Sequence, residues 1–311
     1  MTVLIINADA DYYCQQLARA CPGADLRAAA TPEAAWEHAE GAQAIMAFAS
    51  ALSPGLIARA HRLEWLQALS SGVDGMLDLC AGRPDIAITS TRGVQGPAVA
   101  EMAFVHMLAL ARDVPRLAAN QRRAVWERYP QPLLHGKTVV IVGTGAIAGE
   151  LAGRCRAFGM PVHGVSAAPR PIPGFDRVHD RRDLAQAAAL ADFMVLLVPL
   201  SDETRHLVDA RILAAMKPDA ILVNLARGGV CDEAAVLRAL REGRLGGAGM
   251  DVFETEPLPA DHPLWTADRV FVTPHLGGES DRYADQVLPI LRANLAAFLQ
   301  GRPQDLRNLV R

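Results

Sequence analysis

Short apolar runs alternate with longer stretches of helical periodicity along almost the whole chain. The runs lie at residues 3–6, 44–47, 65–68, 86–89, 139–142, 161–164, 193–198, 220–224, 247–251 and 270–273. They are unbroken rather than alternating, as expected of strands buried on both faces. Helical patterns fill most of the gaps, for example at 32–40, 150–158, 209–216 and 233–241. Strand–helix alternation makes the strands parallel and the helices their crossovers, so the expected fold class is α/β, doubly wound. Ten strands crowd one open sheet, and two parallel sheets in two domains are expected instead.

The boundary falls in "TRGVQGPAVAEMAFVHMLALARDVPRL", where Gly96 and Pro97 punctuate the chain and Pro97 suits the first turn of a helix. That helix is apolar on most sides (Val99, Met102, Ala103, Val105, Met107, Leu108, Leu110), the mark of one buried between domains or subunits. A last helical pattern at 284–299 stops before Gly301 and can return the chain to the first domain. The expected domains are 1–97 completed by 286–311, and 98–285.

Composition narrows the function. The 311 residues carry a formal net charge of −3, without the basic excess usual in a nucleic-acid binder. No apolar run reaches membrane-spanning length, and the N-terminal "MTVLIIN" has no basic leader and reads as a first strand. The five cysteines (Cys14, Cys21, Cys80, Cys155, Cys231) are scattered and lack CxxC spacing, which argues against a disulfide framework or a zinc site and for a reducing cytoplasm. No internal repeat or low-complexity tract is evident.

The first chemical signal is "VVIVGTGAIAGELAGRCRAFGMPVHGVSAAPR". A buried strand runs into Gly143, Thr144 and Gly145, and a helix follows, which is the context of a dinucleotide-binding turn. Gly143 permits the tight turn, Gly145 lets a pyrophosphate approach the backbone, and Ala148 replaces the third glycine. About twenty residues on, such sites place an acid that holds the adenosine ribose. Here the segment reads Val165, Ser166, Ala167, Ala168, Pro169, Arg170. Ser166 would not repel a 2′-phosphate and Arg170 can reach one, so NADPH is the expected cofactor and NADH the alternative.

Three more segments place reactive groups just past buried strands: Arg227 in "LVNLARGGVCDE", Asp251, Glu254 and Glu256 in "GAGMDVFETEPLP", and His275 in "VFVTPHLGG". One such residue is commonly a cap or a surface group. Three at equivalent strand ends, on the edge where an open parallel sheet binds ligands, point to a catalytic site. His61, His106, His163 and His179 read as core or surface histidines, and Trp126 and Trp265 as packing residues.

In "HGKTVVIVGTGAIAG", "VLLVPLSDETRHLV", "MKPDAILVNLARGGVCDEAAVLRAL", "GAGMDVFETEPLP", "HPLW" and "VTPHLGG" the sequence resembles the D-isomer-specific 2-hydroxyacid dehydrogenases over nearly its whole length. The resemblance implies two Rossmann-like domains with the active site in the cleft between them, and a homodimer built on the helix starting near Ala98 and the arm after it. It implies Arg227, Glu256 and His275 as the catalytic trio, and Ser71, Gly72 and Val73 of "LSSGVDG", with Arg227, as the grip on a substrate carboxylate. For the cofactor it adds Ala146, Ile147, Pro199, Thr204, Leu225, Ala226, Asp251, Gly277 and Gly278 to Gly143, Gly145, Ser166 and Arg170.

These residue types suit reduction of a small 2-oxo acid such as glyoxylate or hydroxypyruvate. Arg227 can fork onto carboxylate and ketone, and His275, kept charged by Glu256, can give the proton. No HxxxH or HxH spacing supports a metal site, and no G-x-S-x-G elbow supports a hydrolase. Within the family the alternatives are a 3-phosphoglycerate-type dehydrogenase, for which no regulatory extension follows Arg311, and a cofactor-sensing corepressor. Formate dehydrogenases lack the acid that Glu256 supplies.

Overall fold

A computed structural model describes all residues, 1–311. The chain divides into two compact units, Met1–Gln95 with Ser280–Arg311, and Gly96–Glu279. The first contains β1 (Thr2–Ile6), α1 (Ala10–Ala20), β2 (Asp25–Ala29), α2 (Pro32–Ala35), β3 (Ala44–Ala47), α3 (Pro54–Arg59), β4 (Trp65–Ala68), α4 (Asp74–Leu79) and β5 (Ala87–Thr89). The second contains α5 (Gly96–Ala111), α6 (Val114–Arg122), β6 (Val139–Val142), α7 (Ala146–Ala157), β7 (Val162–Ser166), β8 (Arg177–Asp180), α8 (Leu184–Ala188), β9 (Phe193–Leu196), α9 (Ala210–Ala215), β10 (Ile221–Asn224), α10 (Glu233–Arg241), β11 (Gly247–Met250) and β12 (Val270–Val272). α11 (Tyr283–Leu299) then completes the first unit.

Both sheets are parallel throughout. The strand order is β2-β1-β3-β4-β5 in the first and β12-β11-β10-β9-β6-β7-β8 in the second. Each is doubly wound, as the apolar runs predict, because every central strand must bury two faces under crossover helices. In the first unit Val3, Ile5, Met46 and Trp65 face α1 and α11, while Leu4, Ile6, Ile45 and Leu66 face the other way. In the second, Val139, Ile141 and Val195 pack with residues of α5 and α7, and Val140, Val142 and Met194 with residues of α8, α9 and α10.

Local chemistry starts the helices where the sequence allows. Ser53 accepts from the Leu56 N–H at 3.2 Å ahead of Pro54, Asp209 from Ile212 at 2.9 Å, and Asp232 from Ala235 at 2.8 Å. Gly301, at φ +65°, follows the end of α11. Two strands, β2 and β8, are not foreshadowed by apolar runs. Both are sheet edges, and their sequences DLRAA and RVHD are largely exposed or half-exposed.

Candidate active site

The dinucleotide turn is built from β6, α7 and β7. Gly143 stands at φ +100°, its N–H donates to the Val165 carbonyl at 2.9 Å, and a Cβ there would lie 2.8 Å from the Leu197 carbonyl oxygen. No side chain fits. Gly145, before α7, has no atom within 4 Å of where its Cβ would stand, and Ala146 beside it is exposed while Ile147 is half-buried. The first N–H groups of a twelve-residue helix therefore open onto a bare cradle, which fits a pyrophosphate.

Ser166 ends β7 in register with Asp180, the end of β8. Its hydroxyl accepts from the Ala168 N–H at 3.2 Å. Asp180 is paired with Arg182, at 2.8 and 3.0 Å. Arg170 is exposed and borders a pocket with Asp176, Arg177 and Val178, by the start of β8 and away from the strand ends that carry Ser166 and Asp180. In the loop after β9, Pro199 is exposed. Thr204 is only 3% exposed, donating to the Pro199 carbonyl at 2.6 Å and accepting from Ser201 N–H at 2.7 Å, so it shapes the loop from within.

Arg227 follows β10 in extended backbone. Asn224, fully buried, clamps this turn: its Nδ2 donates to the Arg227 carbonyl at 3.0 Å and its Oδ1 accepts from Ala226 N–H at 3.1 Å. Leu225 and Ala226 lie between them, half-buried and buried. A Cβ on Gly228 would come within 1.8 Å of the Phe253 carbonyl carbon, so the turn after β10 lies hard against the loop after β11.

That second loop carries the acids. The Glu254 N–H donates to Glu233 at 2.7 Å, and the Glu254 side chain pairs with His206 at 3.1 Å. Burial pushes the Glu233 carboxyl above its usual range. Glu256 instead accepts from Phe253 N–H at 2.9 Å and stands 2.7 Å from His275 Nδ1. Of the two glutamates, Glu256 is therefore the one brought to the histidine. A carboxylate only accepts, so Nδ1 carries the proton of that bond and Nε2 is the nitrogen left for chemistry.

His275 sits at φ +53°, uncommon for a side-chain-bearing residue, in the turn after β12. Its backbone N–H donates to the Asp251 carbonyl at 2.7 Å. Asp251 is 2% exposed and its carboxylate accepts from Thr273 Oγ1 at 2.5 Å, Leu276 N–H at 2.9 Å and Gly277 N–H at 2.8 Å. A Cβ on Gly277 would strike that carboxylate at 2.8 Å, and Gly278 follows half-buried. The hydrogen bond to Glu256 raises the pKa of His275, against burial and the Arg227 charge. Burial works against the Glu256 carboxylate, but the hydrogen bonds from His275 and Phe253 outweigh it and its pKa falls.

In the first unit the 71–73 turn follows β4. Ser70 Oγ donates to the Gly72 carbonyl at 2.7 Å, Val73 immediately precedes α4, and the Ser71 N–H donates to the side chain of Gln95 at 3.2 Å. Sequence reasoning did not single out Gln95, Asn224, Glu233 or Thr273. Of these, only Asn224 carries a sequence signal, a polar residue closing an otherwise apolar strand.

The sequence model for the NAD-binding domain of D-isomer specific 2-hydroxyacid dehydrogenases matches residues 104–277. The chain belongs to the D-isomer specific 2-hydroxyacid dehydrogenase family. The resemblance read from the motifs is thereby borne out, and with it a nicotinamide-dependent oxidoreductase on this fold. The chain is 35% identical over 259 residues to the D-3-phosphoglycerate dehydrogenase of Methanocaldococcus jannaschii, covering 80% of this chain but 49% of that protein, about half its length. It is 34% identical over 263 residues to the glyoxylate reductase of Thermococcus litoralis, covering 81% of this chain and 79% of that one. A family member from Aeromonas salmonicida has a similar structure, with a TM-score of 0.91 and 37% identity, over 100% of this chain and 98% of that one. No helix is long and apolar enough to cross a membrane.

Proposed function

We propose that this dehydrogenase reduces a small 2-oxo acid, glyoxylate or hydroxypyruvate, to the (R)-2-hydroxy acid, and runs the reverse reaction at higher pH. The observation that carries the reading is the 2.7 Å His275–Glu256 pair in the loops that also hold the Arg227 turn. Arg227 orients the substrate through carboxylate and carbonyl oxygen and polarises the ketone. His275 Nε2 gives its proton to that oxygen, and Glu256 keeps the imidazole charged for the task. The bound nicotinamide supplies the hydride. In the first unit, the small residues of the 71–73 turn leave backbone N–H groups suited to a carboxylate. Asp251 acts by fixing the turn that carries His275, and by the family resemblance would stand near the amide of a bound nicotinamide.

The glyoxylate reductase relative supports a small substrate. The phosphoglycerate dehydrogenase relative keeps a phosphorylated 3-carbon substrate as the rival. We further propose NADPH as the preferred cofactor, because Ser166 brings no charge against a 2′-phosphate. Arg181, next after the residue in register with Ser166, is a second candidate partner for that phosphate beside Arg170. The assembly is proposed to be a homodimer through α5 and the segment after it.

Steady-state rates with glyoxylate, hydroxypyruvate and 3-phosphohydroxypyruvate, each with NADPH and NADH, test the reading. Reduction of the two small acids with NADPH favoured is expected, and His275→Ala should lose about 10²–10⁴ in kcat. A preference for the phosphorylated substrate would replace the reading with its rival. Preference for NADH would remove the cofactor assignment alone.

A further inference from the structure

The apolar face of α5 contains one residue that does not belong to an apolar core. His106 is 0% exposed among Ala103, Met107 and Leu110, with its ring against Phe271 at 5.4 Å. The fold accommodates it: a Cβ on Gly249 of β11 would meet its ring at 2.6 Å. Burying an imidazole is costly, and here Nδ1 has no hydrogen-bond partner at all. A leucine would fill such a site without that cost, so the other nitrogen should account for the residue.

His106 Nε2 lies 2.9 Å from Thr273 Oγ1. Thr273 in turn lies 2.5 Å from Asp251 Oδ1. The proton positions follow by elimination. The Asp251 carboxylate accepts, so the single hydroxyl proton of Thr273 goes to Asp251, and Thr273 must accept from His106 Nε2–H. His106 is thus the Nε2–H tautomer, and its unpartnered Nδ1 is a bare lone pair rather than a stranded proton. Burial agrees, holding the ring neutral by pushing its pKa down to about 4.

We infer that His106 and Thr273 are positioning residues for His275: they form a one-way hydrogen-bond chain that fixes the Asp251 carboxylate and, through it, the turn on which His275 stands. The Asp251 carboxylate grips that turn at two points, the N–H groups of Leu276 and Gly277, next to the main-chain bond from His275 N–H to the Asp251 carbonyl. His275 is held at a positive φ there, and its bond to Glu256 depends on the turn staying in place. Without His106 the Thr273 hydroxyl is free to rotate, Asp251 loses a fixed donor, and the His275–Glu256 bond slackens. The charged groups bearing on His275 are Glu256, Arg227 and Asp251. The inference rests on His275 being the proton donor.

Four variants and one pair test the chain in the full-length protein. His106→Leu and Thr273→Val break it; His106→Gln, whose Nε2 can donate in the same place, and Thr273→Ser preserve it. The breaking variants are expected to lower kcat about tenfold with little change in cofactor Kd, and to move the alkaline limb of the reductive pH profile to lower pH. The preserving variants should recover most of both. The double variant His106→Leu/Thr273→Val should lose no more than the worse single one, because both cut the same chain. Histidine NMR titration of the protein without substrate, with His275 assigned by its loss in His275→Asn, should show the His275 pKa lowered in His106→Leu and restored in His106→Gln. If His106→Leu does not fold, Thr273→Val against Thr273→Ser carries the comparison. An unmoved His275 pKa in the breaking variants, or additive losses in the double variant, would overturn the inference. Absence of any 2-oxo acid reduction by the unsubstituted protein would instead remove the proposed function, and the NMR titration would still judge the chain.

Discussion

At the scale of single residues the proton balance turns on one hydrogen bond. His275 is raised above the ordinary imidazole value by the bond it donates to Glu256, so it stays protonated at higher pH than a free histidine. Reductive activity should therefore hold through neutral pH and fall once pH passes that raised value. Oxidation needs the unprotonated ring and should rise over the same interval. Glu256→Gln removes the charge while keeping the shape. The reductive limb should then move to lower pH, the loss being larger at pH 8 than at pH 6, and oxidation should begin at lower pH. Rate profiles in both directions check this, and limbs that stay where they were would detach Glu256 from the role.

At the scale of elements the strand ends do the positioning, and there the sequence is easiest and hardest to read at once. Arg227 and Asp251 stand out because each follows a run that is a buried strand, and His275 because it follows the apolar, half-buried edge strand β12. The edge strands β2 and β8 escape notice because an edge buries half as much and tolerates Asp25, Arg27, Arg177 and Asp180. Supporting residues are hidden for another reason, that their partners are remote in sequence. Glu233 meets Glu254 across 21 residues and His106 meets Thr273 across 167. No local pattern announces such a pair. Gly228 is the same lesson in reverse, since "ARGG" looks merely flexible but marks a contact between the turn that carries Arg227 and the loop that carries Glu256. With a Cβ 1.8 Å from the Phe253 carbonyl carbon and 2.2 Å from Glu254 N, alanine there must push backbone apart. Gly228→Ala should cost about 1–3 kcal/mol in stability, as overpacked sites do, and more than tenfold in kcat by separating Arg227 from Glu256. Denaturant unfolding and turnover measured together check it; normal values of both would mean the loops yield without consequence.

At the scale of the molecule the apolar surface of the second unit points to assembly. Single exposed apolar side chains are ordinary, but here several share one region of chain and surface. Leu117, Val125 and Trp126 border the same pocket, and Trp126 is 93% exposed. The segment that carries them is not loose. Arg116 lies over the Tyr129 ring at 4.2 Å, Asn120 donates to Glu127 at 3.0 Å, and Gln131 donates to the Arg112 carbonyl at 2.7 Å. A segment tied down this well while presenting an indole to water suits the proposed dimer contact, and Val105 of α5, 46% exposed, adds to the same unit's surface. The proposed partner is a second copy of the chain. Light scattering should then give about twice 33.3 kDa for the unsubstituted protein. Trp126→Glu should shift the mass toward one chain, because an aromatic anchor becomes a charge that dimerisation would have to bury unpaired. Trp126→Phe, which keeps most of the apolar area, should remain a dimer. A monomer before any substitution, or a dimer that ignores Trp126→Glu, would place the interface elsewhere or nowhere.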